Sequence, residues 1–268
     1  MAKKFLMFGI YLLIIVVYYI GGLYFLQEKL YIFPDSKYIS PKEAGAPSFK
    51  EVYIKADDGV LIRTWLSKGK EDKPFILFFH GNVAQNAEFA LMMAQYLREG
   101  FGVMMMEYRG FGKAQGKFSQ ENIYMDAKSS FDYLKKNFSN RDIVVMGYSM
   151  GSAPASYLAF LREPQRVVLM APFYSLKSVA GEKNIPLAKM LIKYEMPNYK
   201  FIKDYEGKLL IIHGDADSLI LAHHSKKLYD LASKAIRQFI LLKNIGHREI
   251  FFDIKRNGHN KIINWIYE

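Results

Sequence analysis

The run Arg141-Asp-Ile-Val-Val-Met-Gly-Tyr-Ser-Met-Gly-Ser-Ala-Pro-Ala-Ser156 constrains the fold more than any other stretch of the 268 residues. An apolar strand, Ile143–Met146, runs into Gly147-Tyr148-Ser149-Met150-Gly151 and then into a segment of small, helix-compatible residues. A G-x-S-x-G pattern in that setting is a sharp strand-to-helix turn with the serine at its apex. The flanking glycines let the chain fold back without a Cβ clash. The new helix brings free N–H groups and partial positive charge to the place where an oxyanion would form. The same pattern also serves as a plain connector, so the chemistry depends on partners elsewhere.

Short apolar runs recur along the chain. Strands are expected near Val52–Lys55, Val60–Leu66, Phe75–Phe79, Val103–Glu107, Ile143–Met146, Val167–Met170, Leu209–Ile212 and Gln238–Leu242, the first two forming a hairpin about Asp57-Asp58-Gly59. Amphipathic segments at Ala84–Arg98, Tyr124–Lys136 and His223–Ser233 lie between them, and a tail helix runs from about Glu249 to Trp265. Such alternation predicts an α/β fold, a mostly parallel sheet flanked by helices. The stretch at about 172–204, rich in Met, Tyr, Leu and Pro, interrupts the series and reads as a short cap. Its Met and aromatic side chains suit either ordinary core or an acyl-binding groove.

A serine hydroxyl becomes a good nucleophile when a neutral imidazole takes its proton, and a carboxylate fixes the tautomer of that imidazole. On a strand–elbow–helix scaffold the acid and then the base follow the serine in the chain. Lys208–Asp217 is a buried-type strand ending in His213-Gly214-Asp215-Ala216-Asp217, and Arg237–His247 is another ending in Gly246-His247. His247 is the expected base, and Asp215 and Asp217 both stand where the acid would. His213 is expected to shape the turn that carries the acid. His223 and His224 lie early in a helix, a common setting for surface histidines, and His259 follows Gly258 away from any strand end. Pro74–Val83 reads as a central strand ending in His80-Gly81-Asn82-Val83. The backbone N–H of Met150 and one from Asn82 or Val83 are the expected oxyanion donors, with His80 structural.

Taken together, His80-Gly81-Asn82, Tyr108-Arg109-Gly110-Phe111-Gly112, Gly147–Gly151, Ala171-Pro172-Phe173, His213–Asp217 and Gly246-His247 resemble the motifs of the α/β-hydrolases. The likeness is to membrane-anchored alpha/beta-hydrolase-domain-containing serine hydrolases, with S33-type and lysophospholipase-like kin. It runs from Gln27–Pro34, which resembles the stretch after the membrane helix in such proteins, to the C-terminus. The resemblance implies the α/β-hydrolase fold and a triad of Ser149, Asp217 and His247, the acid being the fifth residue of H-G-x-x-D. It also implies cleavage of a carboxylic ester or thioester, acyl or lipid substrates included, through an acyl-enzyme. An S33-type serine peptidase and a non-catalytic binding module on the same fold are the alternatives. Two stretches depart from the family pattern: Ser218–Ala222 replaces an apolar pair and a proline, and Lys113–Gly116 replaces a serine and a glycine.

Phe5–Leu26 is a second constraint: 22 residues without a charge. As a helix it is roughly 33 Å long, against a bilayer core of about 30 Å. A signal-peptide apolar region is shorter, roughly 7–15 residues, and ends at a small-residue cleavage site, whereas bulky residues follow here. The expected organisation is therefore an anchor at 1–27, a linker at 28–47 and a catalytic domain at 48–268. Lys3 and Lys4 favour a cytoplasmic N-terminus, placing the catalytic domain on the periplasmic, lumenal or outer side; Lys29, Lys37 and Lys42 oppose that bias. The absence of cysteine excludes disulfides, a thiol nucleophile and thiolate metal sites. No zinc-type ligand spacing, P-loop or dinucleotide fingerprint is present, so neither metal nor cofactor is expected. The net charge of +11 suits a lysine-rich surface or anionic headgroups, and nothing beyond charge points to nucleic acid. The expected partners are an acyl or lipid ester substrate and the bilayer; the sequence leaves the oligomeric state open.

Overall fold

Apolar runs without polar alternation belong where a sheet is buried on both faces. In the computed structural model, which describes residues 2–31, 37–83, 85–183, 185–253 and 259–268, these runs form the sheet centre. They are Phe75–Phe79 (β3), Gly102–Met106 (β4), Ile143–Tyr148 (β5) and Arg166–Met170 (β6), buried throughout except at Arg166. Lys50–Lys55 (β1), Leu61–Ser67 (β2), Lys208–Gly214 (β7) and Ile236–Leu242 (β8) complete eight strands in the order β1-β2-β4-β3-β5-β6-β7-β8. β2 is antiparallel to β1 and β4; every other pairing is parallel. All eight expected strands are present, each within two residues of its expected bounds.

The period-two geometry of a strand divides each run between two cores. Phe75, Leu77 and Phe79 pack on one side with Val145, and Ile76 and Phe78 pack on the other with Val144 and Met146. The first core is covered by Gln120–Asn137 (α3), Ser152–Arg162 (α4) and His223–Leu231 (α8); the second by Asn86–Arg98 (α2) and His259–Tyr267 (α10). α3 begins four residues before the expected start because Ser119 caps it, its hydroxyl accepting from the Asn122 N–H at 3.1 Å. The expected tail helix is two helices, Glu249–Asp253 (α9) and α10, with 254–258 outside the described residues.

The cap carries three short helices, Leu176–Gly181 (α5), Ala188–Leu191 (α6) and Asn198–Ile202 (α7). Tyr194, Met196 and Ile202 join the core, one of the two expected uses, whereas Met190 is 79% exposed. Ala2–Tyr31 (α1) is a 30-residue helix, and no residue in the most apolar stretch of its Lys3–Gln27 span is buried. Residues 32–36 of the expected linker fall outside the described residues.

One buried ion pair ties the β1–β2 turn to this frame. Arg109, just after β4, donates to Asp126 on α3 at 2.9 and 2.6 Å and to Asp58 in the turn at 2.6 and 3.0 Å. Burial raises the Asp126 pKa, and the Arg109 guanidinium opposes that rise. Removing one partner of a buried pair leaves an uncompensated charge. Arg109→Ala is expected to cost about 3–5 kcal/mol, and Arg109→Ala with Asp126→Ala to recover part of it; denaturant midpoints of the three proteins check this.

Candidate active site

In a doubly wound sheet the crevice lies beyond the carboxyl ends of the strands, where the strand order reverses. Here β3 lies between β4 and β5, so the reversal falls at β3 and β5. The His80-Gly81-Asn82-Val83 loop follows β3 and Ser149 follows β5. The two acids and His247, which follow β7 and β8, open on the same edge.

Ser149 sits at φ 52°, in the left-handed region, and begins the turn Ser149–Gly151 that leads into α4. A Cβ at Gly147 would lie 2.3 Å from the Gly151 carbonyl oxygen, and one at Gly151 would lie 2.1 Å from that of Phe79. Neither position admits a side chain, so the two glycines of the pattern are required by backbone contact. Packing against the end of β3 holds the serine in a conformation that costs on the order of 1–3 kcal/mol.

A continuous set of hydrogen bonds runs inward from that serine. His247 Nε2 lies 2.9 Å from Ser149 Oγ, and His247 Nδ1 lies 2.6 Å from Asp217 Oδ2. A carboxylate at Nδ1 keeps the proton there and leaves Nε2 to accept from the hydroxyl. Asp217 Oδ1 accepts from the N–H groups of Leu219 and Ile220 at 2.9 and 2.8 Å. His213 Nε2 lies 3.2 Å from Asp217 Oδ2 and 2.8 Å from the Ile220 carbonyl, and its Nδ1 faces Ser225 Oγ at 2.6 Å. Burial acts to raise the Asp217 pKa, but the hydrogen bonds from His213, His247 and the Ile220 N–H outweigh it and hold the carboxyl well below the usual range.

Of the two aspartates after β7, Asp217, the one the family resemblance implies, is the one that meets His247. Asp215 is exposed and accepts from the Asn244 N–H at 2.7 Å, pinning the turn after β8 that leads to His247. His247 is held from another side by Tyr148, whose hydroxyl donates to the His247 carbonyl at 2.9 Å. Met150 is buried in the turn. A Cβ built at Gly81 lies 3.6 Å from Ser149 Cβ, so the loop after β3 lies against the elbow. Asn82 is half-buried and Val83 exposed in the bend that follows.

His80 has the structural role expected of it, whereas its partner Glu107 and the burial of His224 lie beyond what sequence reasoning found. His80 is buried, with Nε2 2.9 Å from Glu107 Oε1, and its carbonyl accepts from the Tyr108 hydroxyl at 2.7 Å. Glu107 also accepts from the Asn86 N–H at 3.2 Å. As the first charge after an apolar strand, Glu107 looks like an ordinary strand end until β3 is placed beside β4. His224 is buried rather than a surface residue, and Glu182 of the cap accepts from its Nε2 at 3.0 Å and from His223 Nε2 at 2.9 Å. The partner is 42 residues upstream, so no local pattern signals it.

Among the described residues, Glu182, His223 and His224 bring three possible metal-ligating atoms within 4.8 Å of one another. The Tyr174 N–H donates to His224 Nδ1 at 3.2 Å, which puts the ring proton on Nε2 and removes the lone pair a metal would need. Burial also holds the His224 pKa down. The group fits a hydrogen-bonded tie between cap and α8, not a metal centre.

A family profile described as serine aminopeptidase, S33, matches residues 70–203, half of the chain. The chain belongs to this family. It is a serine hydrolase with the α/β-hydrolase fold. The uncharacterized protein YfhR of Escherichia coli O157:H7 is 29% identical over 254 residues, covering 89% of this chain and 86% of that protein. The alpha/beta hydrolase domain-containing protein WAV2 of Arabidopsis thaliana is 27% identical over 236 residues, covering 77% and 76%. The solved structure of the Pyrococcus furiosus esterase Pf2001 superposes with a TM-score of 0.73 at 18% identity, covering 88% of this chain and 98% of the other. The family match takes in the loop after β3 and the serine of this hydrolase, but stops before Asp217 and His247. Their association with Ser149 rests on the hydrogen bonds.

A carboxyl held below its unfolded pKa stabilises the fold above that value, about 3.9 for aspartate, and the contribution is lost as pH falls toward the folded value. Wild type is therefore expected to lose stability below about pH 4 more steeply than Asp217→Asn; denaturation midpoints across the acid range test this.

Proposed function

We propose that this protein is a membrane-anchored serine hydrolase that cleaves a carboxylic ester or thioester of acyl or lipid type, with Ser149 as nucleophile, His247 as general base and Asp217 as its orienting acid. The observation that carries the reading is the hydrogen-bonded sequence Asp217–His247–Ser149 ending at a strained, buried turn. Ser149 Oγ attacks the substrate carbonyl carbon while His247 Nε2 takes the hydroxyl proton. The N–H of Met150 and one from Asn82 or Val83 receive the developing oxyanion. The imidazolium is stabilised by anionic Asp217 and returns its proton to the leaving alcohol or thiol, which leaves an acyl-serine. Water, deprotonated by the same ring, then attacks that ester and releases the carboxylic acid and free Ser149.

Support for an apolar substrate comes from Val83, Leu219 and Leu221, which are 44%, 47% and 44% exposed on the loops that follow β3 and carry the acid. The Pf2001 neighbour is described as an esterase. The family description favours a second reading, an aminopeptidase on the same triad. α1 supports the anchor, in length, in apolar content and in its exposure. Lys3 and Lys4 support a cytoplasmic N-terminus, with the 48–268 domain across the membrane.

A fluorophosphonate probe, which reacts with an activated serine whatever the substrate, is expected to label wild type and neither Ser149→Ala nor His247→Ala. Turnover should fall about 10⁴–10⁶-fold in both variants. A folded wild type that resists the probe sinks the catalytic assignment. Faster turnover of aminoacyl anilides than of acyl esters and thioesters would select the aminopeptidase. Retention of the full chain in membranes after alkaline carbonate extraction is the expected result for the anchor.

A further inference from the structure

Single exposed apolar side chains are ordinary; several on one short segment beside an apolar helix mark an interaction surface. In the cap, Ile185, Leu187 and Met190 are 42%, 43% and 79% exposed. The segment that carries them is fastened along the final part of α1. Gln27, 5% exposed, donates from Nε2 to the Leu191 carbonyl at 3.1 Å and accepts on Oε1 from the Lys193 N–H at 2.6 Å. Two turns earlier the Tyr19 hydroxyl donates to the Pro186 carbonyl at 3.1 Å. Between these contacts, Ile20–Leu23 are only half-exposed.

The depth of the upper contact decides what covers the segment. Tyr19 precedes Gln27 by eight residues, about 12 Å along a helix. The uncharged run ends at Leu26. Its length of about 33 Å in a core of about 30 Å leaves only about 3 Å by which the helix can slide outward. A carbonyl held at Tyr19, about 10 Å below the end of the run, therefore stays beneath the membrane surface, and the chain around it goes there too. Lys189, exposed on α6, has a stem long enough to return its ammonium to the headgroups.

We propose that cap residues 185–191 are inserted into the bilayer leaflet that holds the end of α1, with Ile185, Leu187 and Met190 against acyl chains. This rests on the anchor reading of α1. The inserted cap is tied to the site: Lys183 Nζ donates to the Leu219 carbonyl at 3.1 Å, and the Leu219 N–H holds Asp217. The Ser149 crevice then opens beside the leaflet, where an ester-bearing lipid reaches it by lateral diffusion without crossing water.

The absence of cysteine allows unique labelling of single-cysteine variants of the full chain. Met190→Cys and Ile185→Cys, carrying an NBD fluorophore, are reconstituted in phosphatidylcholine–phosphatidylglycerol vesicles with and without brominated acyl chains. Ile14→Cys reports the α1 span, and Tyr53→Cys, 54% exposed on the edge strand β1, reports solvent. The expected result is a loss of emission at positions 190 and 185 comparable with that at 14, and none at 53. Quenching at 14 with none at 190 and 185 overturns the insertion and leaves the anchor standing. No quenching at 14 overturns the anchor, and the insertion with it. Fluorophosphonate labelling of each variant reports separately on the folded hydrolase.

Discussion

The site depends on one backbone constraint: Ser149 is held at positive φ in a turn whose flanking glycines pack backbone against backbone, Gly147 against Gly151 and Gly151 against the end of β3. The contact is too close for any Cβ at Gly147 or Gly151, so the elbow, the start of α4 and the loop after β3 form one rigid piece. Strain of a few kcal/mol is tolerable there because the surrounding strands are buried on both faces and cannot relax one at a time. Everything else at the site is arranged around that fixed hydroxyl.

Two shells of polar contacts do the arranging. Asp217 is pinned by two backbone N–H groups and by His213, and His247 by Asp217, by the Tyr148 hydroxyl and by a turn that Asp215 braces. On the opposite side, Glu107 and Tyr108 clamp His80 and so the loop that faces the serine. The cap is joined to α8 through Glu182, to the Asp217 loop through Lys183, and to the apolar helix through Pro186 and Leu191. The apolar helix α1, the cap and the Asp217 loop are thus mechanically continuous.

The strands were legible because five-residue apolar runs bounded by polar turns have few other uses, and Ser149 and His247 because strand ends mark them. By strand-end position alone the expected acid was legible only as a pair, and the family resemblance pointed to Asp217. Asp215 and Asp217 are two residues apart, and burial plus the facing imidazoles distinguish them. His224 misled local reasoning: its position early in a helix suggests surface, while the cap that buries it comes from a distant part of the chain. Glu107 and Gln27 were silent for the same reason, each acquiring its role from a partner far along the chain.

What the sequence determined by itself is whatever local periodicity and turn chemistry encode: an apolar span, an alternating α/β series, a glycine-flanked serine and a histidine after a strand. Those features depend on neighbours within a few residues and survive in a linear reading. The tertiary structure alone decided that Asp217 reaches His247 through Oδ2, that Glu107 braces His80 and its loop, and that the cap lies along α1. Those are contacts between residues tens to more than a hundred positions apart, created only when parallel strands bring their ends to one edge.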